Sequence, residues 1–534
     1  MYNDPVLAKD FFGRKETLDL LVKRAQALKG GYRQNVALLG DPFLGKTSLI
    51  HQFLREVDEK SLILVYLEIK KESFPDFVRR FIATLLYSYF RSIRLDVLGE
   101  FPELVSQARK SLPDTAFLID EIISSLDSNQ NRSKTYRSML GLSHSIKNES
   151  GIPVLVIIDE FDRLRDFGVK DVFSHFGREI MVQKDTMYIL VSSRRNIARK
   201  ILNQEFSLLF GNFEMVELTG FDQEISRQFL TSRLNRMFLS EEEKFLFIAL
   251  TSGRPFYLDS FSRKLSEVLS VYPEFSSLEI IKRTFTELLF DSKGILNQYF
   301  TRLLREAENT DILLAIAHGH NQLKKLVKAL DIKPKLLTRE VNQLLEKDFL
   351  IKSGNVLLFS DQLFGFWVKH ILGVKERVIS FDIDEKEAIF NTEIEKVITN
   401  FIKSLELTRP ERFQMIIDKF NGEVVQINEK KRRLNKFQKI DLVTTAGEPG
   451  MIIAQANDGN WIFEFTDKTP DEEYIADFNK RIQAQPMKIR RKILIVRSVI
   501  DLNTSILAKE KKIWIWTPEV LNQLSGIFSE LLYF

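Results

Sequence analysis

The sequence predicts an α/β protein, with a parallel-sheet core at the N-terminal end and a smaller α/β domain at the C-terminal end. Three observations carry that prediction. Short apolar runs alternate with helix-period segments over the first 220 residues, the order that places helices between parallel strands. The pattern then becomes wholly helical to about residue 300. Beyond residue 390 strand-like runs return.

Taken in order, residues 11–28 read as a turn at Gly13-Arg14 entering an amphipathic helix. Asn35-Val36-Ala37-Leu38-Leu39 is a short buried strand. A glycine-rich loop follows it directly, and the helical pattern resumes at Ser48. Residues 61–69 form a second strand, 73–150 are mainly helical, and 154–158 and 187–192 are the third and fourth strands. Residues 222–300 carry helical periodicity alone. Three short helices follow at 312–318, 323–330 and 335–347. A hairpin comes next, 349–351 with 356–359, turning through Lys352-Ser353-Gly354-Asn355. Charged residues dominate 374–390, where a linker is expected. Strands are expected near 423–427, 439–444, 451–455, 460–466, 492–497 and 513–516.

The length of 534 residues fits three or four domains at about 150 residues each. The expected divisions are 1–220, 221–300, 301–378 and 379–534. Hydrophobic residues at 44% and charged residues at 28% are those of a globular chain. There is no cysteine, which excludes disulfides, thiolate metal sites and a cysteine nucleophile. The six histidines form no tight ligand pair. No apolar run reaches the roughly 18 residues that cross a bilayer, and no basic-then-apolar leader is seen. A cytoplasmic protein without a membrane partner is therefore expected. The net charge of +4 is nearly neutral for this size, so only local basic clusters bear on nucleic acid.

The loop Gly40-Asp41-Pro42-Phe43-Leu44-Gly45-Lys46-Thr47, with Ser48 after it, is a phosphate loop. Glycines let backbone N–H groups point inward, Lys46 reaches phosphate oxygens, and Thr47 offers a hydroxyl to Mg²⁺. The helix that follows aims its positive N-terminus at the phosphates. ATP and Mg²⁺ are the expected cofactors, against the plainer reading of a glycine turn that binds nothing. Asp159-Glu160 closes the apolar run 154–158. Asp159 would orient Mg²⁺ and Glu160 would polarise the attacking water, unless the pair simply caps a strand end.

These motifs together resemble an AAA+-like P-loop ATPase: Gly13-Arg14 before a helix, the phosphate loop, Asp159-Glu160-Phe161-Asp162 and the polar strand end Ser192-Ser193. The similarity is to the STAND branch and its archaeal-type ATPase relatives, which in turn resemble origin-recognition ATPases. Thr251-Ser252-Gly253-Arg254-Pro255-Phe256-Tyr257-Leu258 is similar to the Gly-x-Pro signature of their helical lid. The resemblance spans residues 8–370. It implies a P-loop NTPase core with a parallel sheet and helical lid, followed by a winged helix. It makes Ser192 or Ser193 the γ-phosphate sensor, and brings Arg254 to the phosphates with Pro255 beside the nucleotide. It also places Arg14 near the adenine. Arg194-Arg195 would serve either as an arginine finger in a homo-oligomer or as surface ion-pair partners. In a winged helix Lys324, Lys325, Lys328, Lys333, Lys335 and Arg339 suit DNA phosphates, although Glu340 and Glu346 share the third helix. The alternative for that segment is a lid or switch.

The tail resembles a PD-(D/E)xK restriction-endonuclease-like domain. The resemblance makes Asp441 and Glu464 the metal-holding carboxylates, with Glu411 as a helical third. Thr466 stands where the motif wants lysine, and Lys468 is the nearest substitute. Basic runs at Lys430-Lys431-Arg432-Arg433 and Lys488 to Lys492 suit a nucleic-acid backbone or a solvated surface. The expected function is a regulatory ATPase whose nucleotide state controls the lid, the winged helix and a protein or DNA partner. The alternatives are a DNA-binding protein or a Mg²⁺-dependent nuclease in defence or DNA processing.

Overall fold

A computed structural model describes residues 10–57, 61–97, 100–127, 131–206, 211–234, 239–377, 382–427, 430–443, 450–497, 500–528 and 531–532. The chain divides into two compact units, Met1–Ile225 with Arg254–Phe256, and Ser226–Gly253 with Tyr257–Phe534. No helix among the described residues is long and apolar enough to cross a membrane.

The first unit opens with α1 (Lys15–Lys29), β1 (Asn35–Leu39), α2 (Lys46–Glu56) and β2 (Ile63–Glu68). Four helices follow: α3 (Phe74–Ser92), α4 (Phe101–Ser111), α5 (Pro113–Asp127) and α6 (Arg132–Ser150). Then come β3 (Val154–Asp159), α7 (Val172–Val182), β4 (Thr186–Ser192), α8 (Arg195–Lys200) and β5 (Phe213–Glu217). The strands form one parallel sheet in the order β2-β3-β4-β1-β5. β1, β3 and β4 are buried at every position, because helices cover both faces. Leu21, Ala25, Leu49 and Phe53 of α1 and α2 fill one side. Phe77, Phe81, Leu85 and Phe173 belong to the core on the other. β5 is a strand the sequence reading lacked. It reads Phe213-Glu214-Met215-Val216-Glu217 at the sheet edge, and its two glutamates leave no apolar run to mark it.

The second unit is helical at first: α9 (Gln223–Arg233) and α11 (Pro255–Val271), whose first residues belong to the first unit, with α10 (Glu241–Thr251), α12 (Ser277–Phe285) and α13 (Ile295–Ala307). The three expected helices and hairpin are α14 (Thr310–Ala317), α15 (Leu323–Leu330), α16 (Pro334–Glu346), β6 (Leu350–Ser353) and β7 (Val356–Phe359). Next are α17 (Gln362–Trp367), α18 (Gly373–Arg377) and α19 (Ile383–Glu406). Of the stretch expected as a linker, 374–390, residues 378–381 lie outside the described residues, and the described part is helical in α18 and α19. Phe390, Ile394, Ile398 and Phe401 are the buried stripe of α19, which packs on α10 and α12, where Lys282 pairs with Glu395 at 2.6 Å.

The tail contains α20 (Arg409–Ile417), β8 (Val424–Ile427), β9 (Lys430–Arg433), β10 (Lys439–Val443), β11 (Met451–Ala456) and β12 (Gly459–Phe465). It ends with α21 (Glu472–Gln483), β13 (Ile489–Ile495), α22 (Leu502–Glu510), β14 (Ile513–Trp516) and α23 (Pro518–Ile527). Strands β10 to β14 form a mixed sheet in sequence order. β8 and β9 form a separate ribbon. Lys430-Lys431-Arg432-Arg433 is therefore a strand, not merely a charged run.

Candidate nucleotide-binding site

The site of the first unit lies at the carboxyl ends of β1, β3 and β4, where open parallel sheets place ligands. The chain leaves β1 at Gly40, where a Cβ would lie 3.0 Å from the Leu218 carbonyl oxygen. It enters α2 through Gly45, whose φ of 82° is the left-handed region that glycine adopts without steric cost. The first-turn N–H groups of α2 have no intrahelical acceptors and suit an anion. Lys46, 5% exposed, donates to the carbonyls of Gly40 at 2.7 Å and Asp41 at 2.8 Å. Burial holds its pKa down, against the pull of Glu160, Asp159 and Asp41.

Asp159 ends β3 and is buried. Its Oδ2 accepts from the Thr47 hydroxyl and from the Tyr66 hydroxyl, both at 3.1 Å, and its Oδ1 accepts from the Glu160 N–H at 3.0 Å. Thr47 and Asp159 are hard oxygen donors, the chemistry Mg²⁺ takes when water and phosphate complete its shell. Among the described residues no group of three or more His, Asp or Glu side chains is placed to hold a metal alone. A Mg²⁺ ion here would therefore depend on oxygens from its nucleotide.

Glu160 has a φ of 56°, a left-handed turn that ends the strand. Such strain in a non-glycine residue costs on the order of 1–3 kcal/mol and concentrates at working sites. Ser193 holds the Glu160 side chain, with Oγ donating to Oε1 at 2.5 Å and N–H to Oε2 at 3.4 Å. Burial raises the pKa of Glu160, and the Ser193 hydroxyl opposes that rise. Ser192, the other sensor candidate, instead donates to Asp162 at 2.6 Å from a fully buried position.

Arg254 is also 5% exposed. Its Nη2 meets the Asp41 carboxylate at 3.0 Å and its Nη1 donates to the Pro42 carbonyl at 3.0 Å. Arg195 reaches the other Asp41 oxygen at 2.7 Å, and Arg194 pairs with Asp162 at 2.5 Å. Both arginines of the expected finger pair are therefore engaged within their own chain. Phe43, at a φ of 69°, stacks on Phe256 with ring centroids 4.2 Å apart. Pro255 is the first residue of α11. Arg14 donates to the carbonyls of Leu44 and Thr219 and lies over Phe221 at 4.8 Å. Burial lowers its pKa to about 10, with Asp222 opposing.

No family model and no curated protein matches the sequence. Solved structures do. The Walker-type ATPase of Pyrococcus abyssi aligns with a TM-score of 0.50 at 18% identity, over 68% of this chain and 98% of that one. The ORC2 protein of Aeropyrum pernix, in ADPNP-ADP complexes, aligns at 0.43 and 10% identity, over 76% and 98%. Cdc6p of Pyrobaculum aerophilum aligns at 0.34 and 12%, over 75% and 98%. The first likeness decides the fold. The core has the P-loop ATPase fold.

Within this P-loop core the sequence reading missed Tyr66 and the role of Asp41. Tyr66 reaches Asp159 because β2 and β3 pair with Glu68 opposite Asp159, a register that residue types alone do not show. Asp41 is read from sequence only as one position of the phosphate loop, but its carboxylate joins Arg195 and Arg254.

The expected nuclease residues do not converge. Glu464 on β12 is 1% exposed, held by Arg481 through two bonds of 2.9 Å and by the Tyr474 hydroxyl at 2.9 Å. Asp441 on β10 is exposed and paired with Lys439 at 2.8 Å. β11 runs between those strands, so two strand spacings, about 10 Å, separate β10 from β12. Glu411 closes a capping box with Thr408 at the start of α20. Lys468 lies past the end of β12, with its N–H donating to Thr466 Oγ1 at 3.2 Å.

Proposed function

We propose that the chain is a nucleotide-dependent switch that binds ATP with Mg²⁺ and hydrolyses it. One observation carries this reading: Lys46 and Arg254, two buried cations at the phosphate loop, are held by groups that an anionic phosphate would replace. Lys46 would leave the loop carbonyls for phosphate oxygens, and Arg254 would exchange Asp41 for the nucleotide. Thr47 and Asp159 would hold Mg²⁺, which neutralises charge developing on the transferred phosphoryl group. Glu160 would accept the proton of the attacking water, while Ser193 holds it aside or aligns it.

Arg254–Phe256 belong to the first unit, yet the chain on both sides of them belongs to the second. Release of Arg254 is thereby coupled through the backbone to α10 and α11, which we read as the lid. The sequence α14, α15, α16, β6, β7 supports a winged-helix reading for that segment, with the lysines of α15 as candidate DNA contacts. We read the tail as a nuclease-like fold serving as an output module, since Glu464 is already fully engaged. The division at 1–220, 221–300, 301–378 and 379–534 stands within this proposal, with α19 at the start of the last segment and packed on α10 and α12 of the lid.

Titration of the protein with ATP and ADP tests the core claim. Lys46→Ala is expected to lose nucleotide binding, and wild-type affinity in that variant would overturn the reading.

A further inference from the structure

The tail contains a second charged feature, independent of the nucleotide. Arg432 of β9 and Arg491 of β13 both lie over the indole of Trp514, with guanidinium carbons 4.3 Å and 4.9 Å from its centroid. Trp514 is half-buried on β14, edge-on to Trp461 at 5.7 Å. Three elements thus fix two like charges on one ring.

Among the described residues no carboxylate forms an ion pair with either guanidinium. Asp458, whose charge acts on Arg491, is itself paired with Arg490 at 3.0 Å. The Arg491 Nε is buried without a hydrogen-bond partner. Burial lowers the pKa of both groups, and Arg490 and Arg432 lower that of Arg491 further. Exposed Lys430, Lys431 and Arg433 continue the positive charge along β9, and Lys488 just before β13 and Arg490 on it extend it there.

A plain explanation covers part of this. Cations on an exposed edge strand discourage edge-to-edge pairing. That accounts for Lys430, Lys431 and Arg433. It does not account for two guanidiniums drawn onto one indole, where mutual repulsion and desolvation both oppose them. An anion with several oxygens would offset both costs, and the fixed fork of arginine matches phosphate geometry.

We propose that Arg432 and Arg491, mounted on Trp514, form a phosphate-backbone site for nucleic acid. The indole is already occupied by guanidiniums, so the site contacts backbone rather than stacking on bases, and it is indifferent to sequence. β9, β13 and β14 carry none of the large exposed apolar side chains that would enter a bilayer, which favours nucleic acid over lipid headgroups.

The test uses the full chain without nucleotide and a labelled oligothymidylate, followed by fluorescence anisotropy between about 50 and 200 mM salt. Wild type is expected to bind, with affinity falling steeply as salt rises. R432Q/R491Q is expected to bind about tenfold or more weakly. Its log–log salt slope should be shallower by about 1.4, the share of two single-strand phosphates. Equal affinity and slope in the variant would overturn the site, as would wild-type binding to phosphatidylserine vesicles but not to the oligonucleotide. Phenylglyoxal modification of wild type keeps the proposal testable if the variant does not fold. Oligothymidylate should shield Arg432 and Arg491, and unchanged modification of both would refute the assignment. Neither readout involves Lys46, so a failed ATPase reading leaves this result intact.

Discussion

Asp41 and Arg254 form an ion pair at 3.0 Å across 213 positions of sequence, with side chains only 11% and 6% exposed. Removing one partner of such a pair leaves a charge out of water without compensation, at about 3 kcal/mol or more. Asp41→Ala is therefore expected to destabilise the nucleotide-free protein by about 3 kcal/mol in urea unfolding. Arg195→Ala removes a more exposed partner and should cost about 1 kcal/mol or less. Saturating ATP should restore much of the Asp41→Ala loss, because phosphate would then receive Arg254. An Asp41→Ala protein as stable as wild type, or one that ATP does not rescue, would remove this pair from the switch.

The Ser193–Glu160 contact predicts a pH effect with a definite sign. A general base works as the carboxylate, so turnover should rise with pH through the Glu160 pKa. Burial raises that pKa and the Ser193 hydroxyl lowers it. Ser193→Ala removes the lowering influence, so the acid limb of kcat should move to higher pH. Ser193→Thr keeps a hydroxyl and should return the limb toward its wild-type position. Glu160→Gln should bind ATP but lose about 10²- to 10⁴-fold in kcat. A limb unmoved in Ser193→Ala would show that Ser193 does not tune Glu160.

What could be read from sequence follows from how far each feature depends on distant residues. The phosphate loop is eight consecutive positions between a strand and a helix, so its chemistry is local and was legible. Asp159-Glu160 was legible because a strand end marks it. Arg254 was placed at the loop by family resemblance, but its partner Asp41 is visible only in three dimensions. β9 and β5 were missed because edge strands need no apolar period. Charge outweighed the helical stripe of α19, whose buried positions recur every three or four residues. Gly354 was read as a turn residue. Its missing side chain also admits the Val424 carbonyl oxygen, which a Cβ would approach to 2.0 Å. In the nuclease-like set the 451–455 strand was legible, but its pairing on both sides, which puts Asp441 and Glu464 two strands apart, was not.

The same set supplies a contrast in stability. Glu464 is buried and depends on Arg481 and Tyr474 to offset the loss of water, and its bidentate bonds hold the Arg481 pKa above the usual guanidinium value. Arg481→Ala would leave a buried carboxylate with the Tyr474 hydroxyl as its remaining side-chain donor, and should destabilise the tail by about 3 kcal/mol. Asp441 is exposed and its pair with Lys439 is a surface one, so Asp441→Ala should stay within about 0.5 kcal/mol of wild type. Urea unfolding of the two variants checks the contrast, and a nucleic-acid cleavage assay with Mg²⁺ checks its meaning. If Glu464 serves structure, Asp441→Ala, which leaves the tail stable, does not change any cleavage. Mg²⁺-dependent cleavage that vanishes in both Asp441→Ala and Glu464→Ala would instead require the two carboxylates to meet in a conformation different from this one.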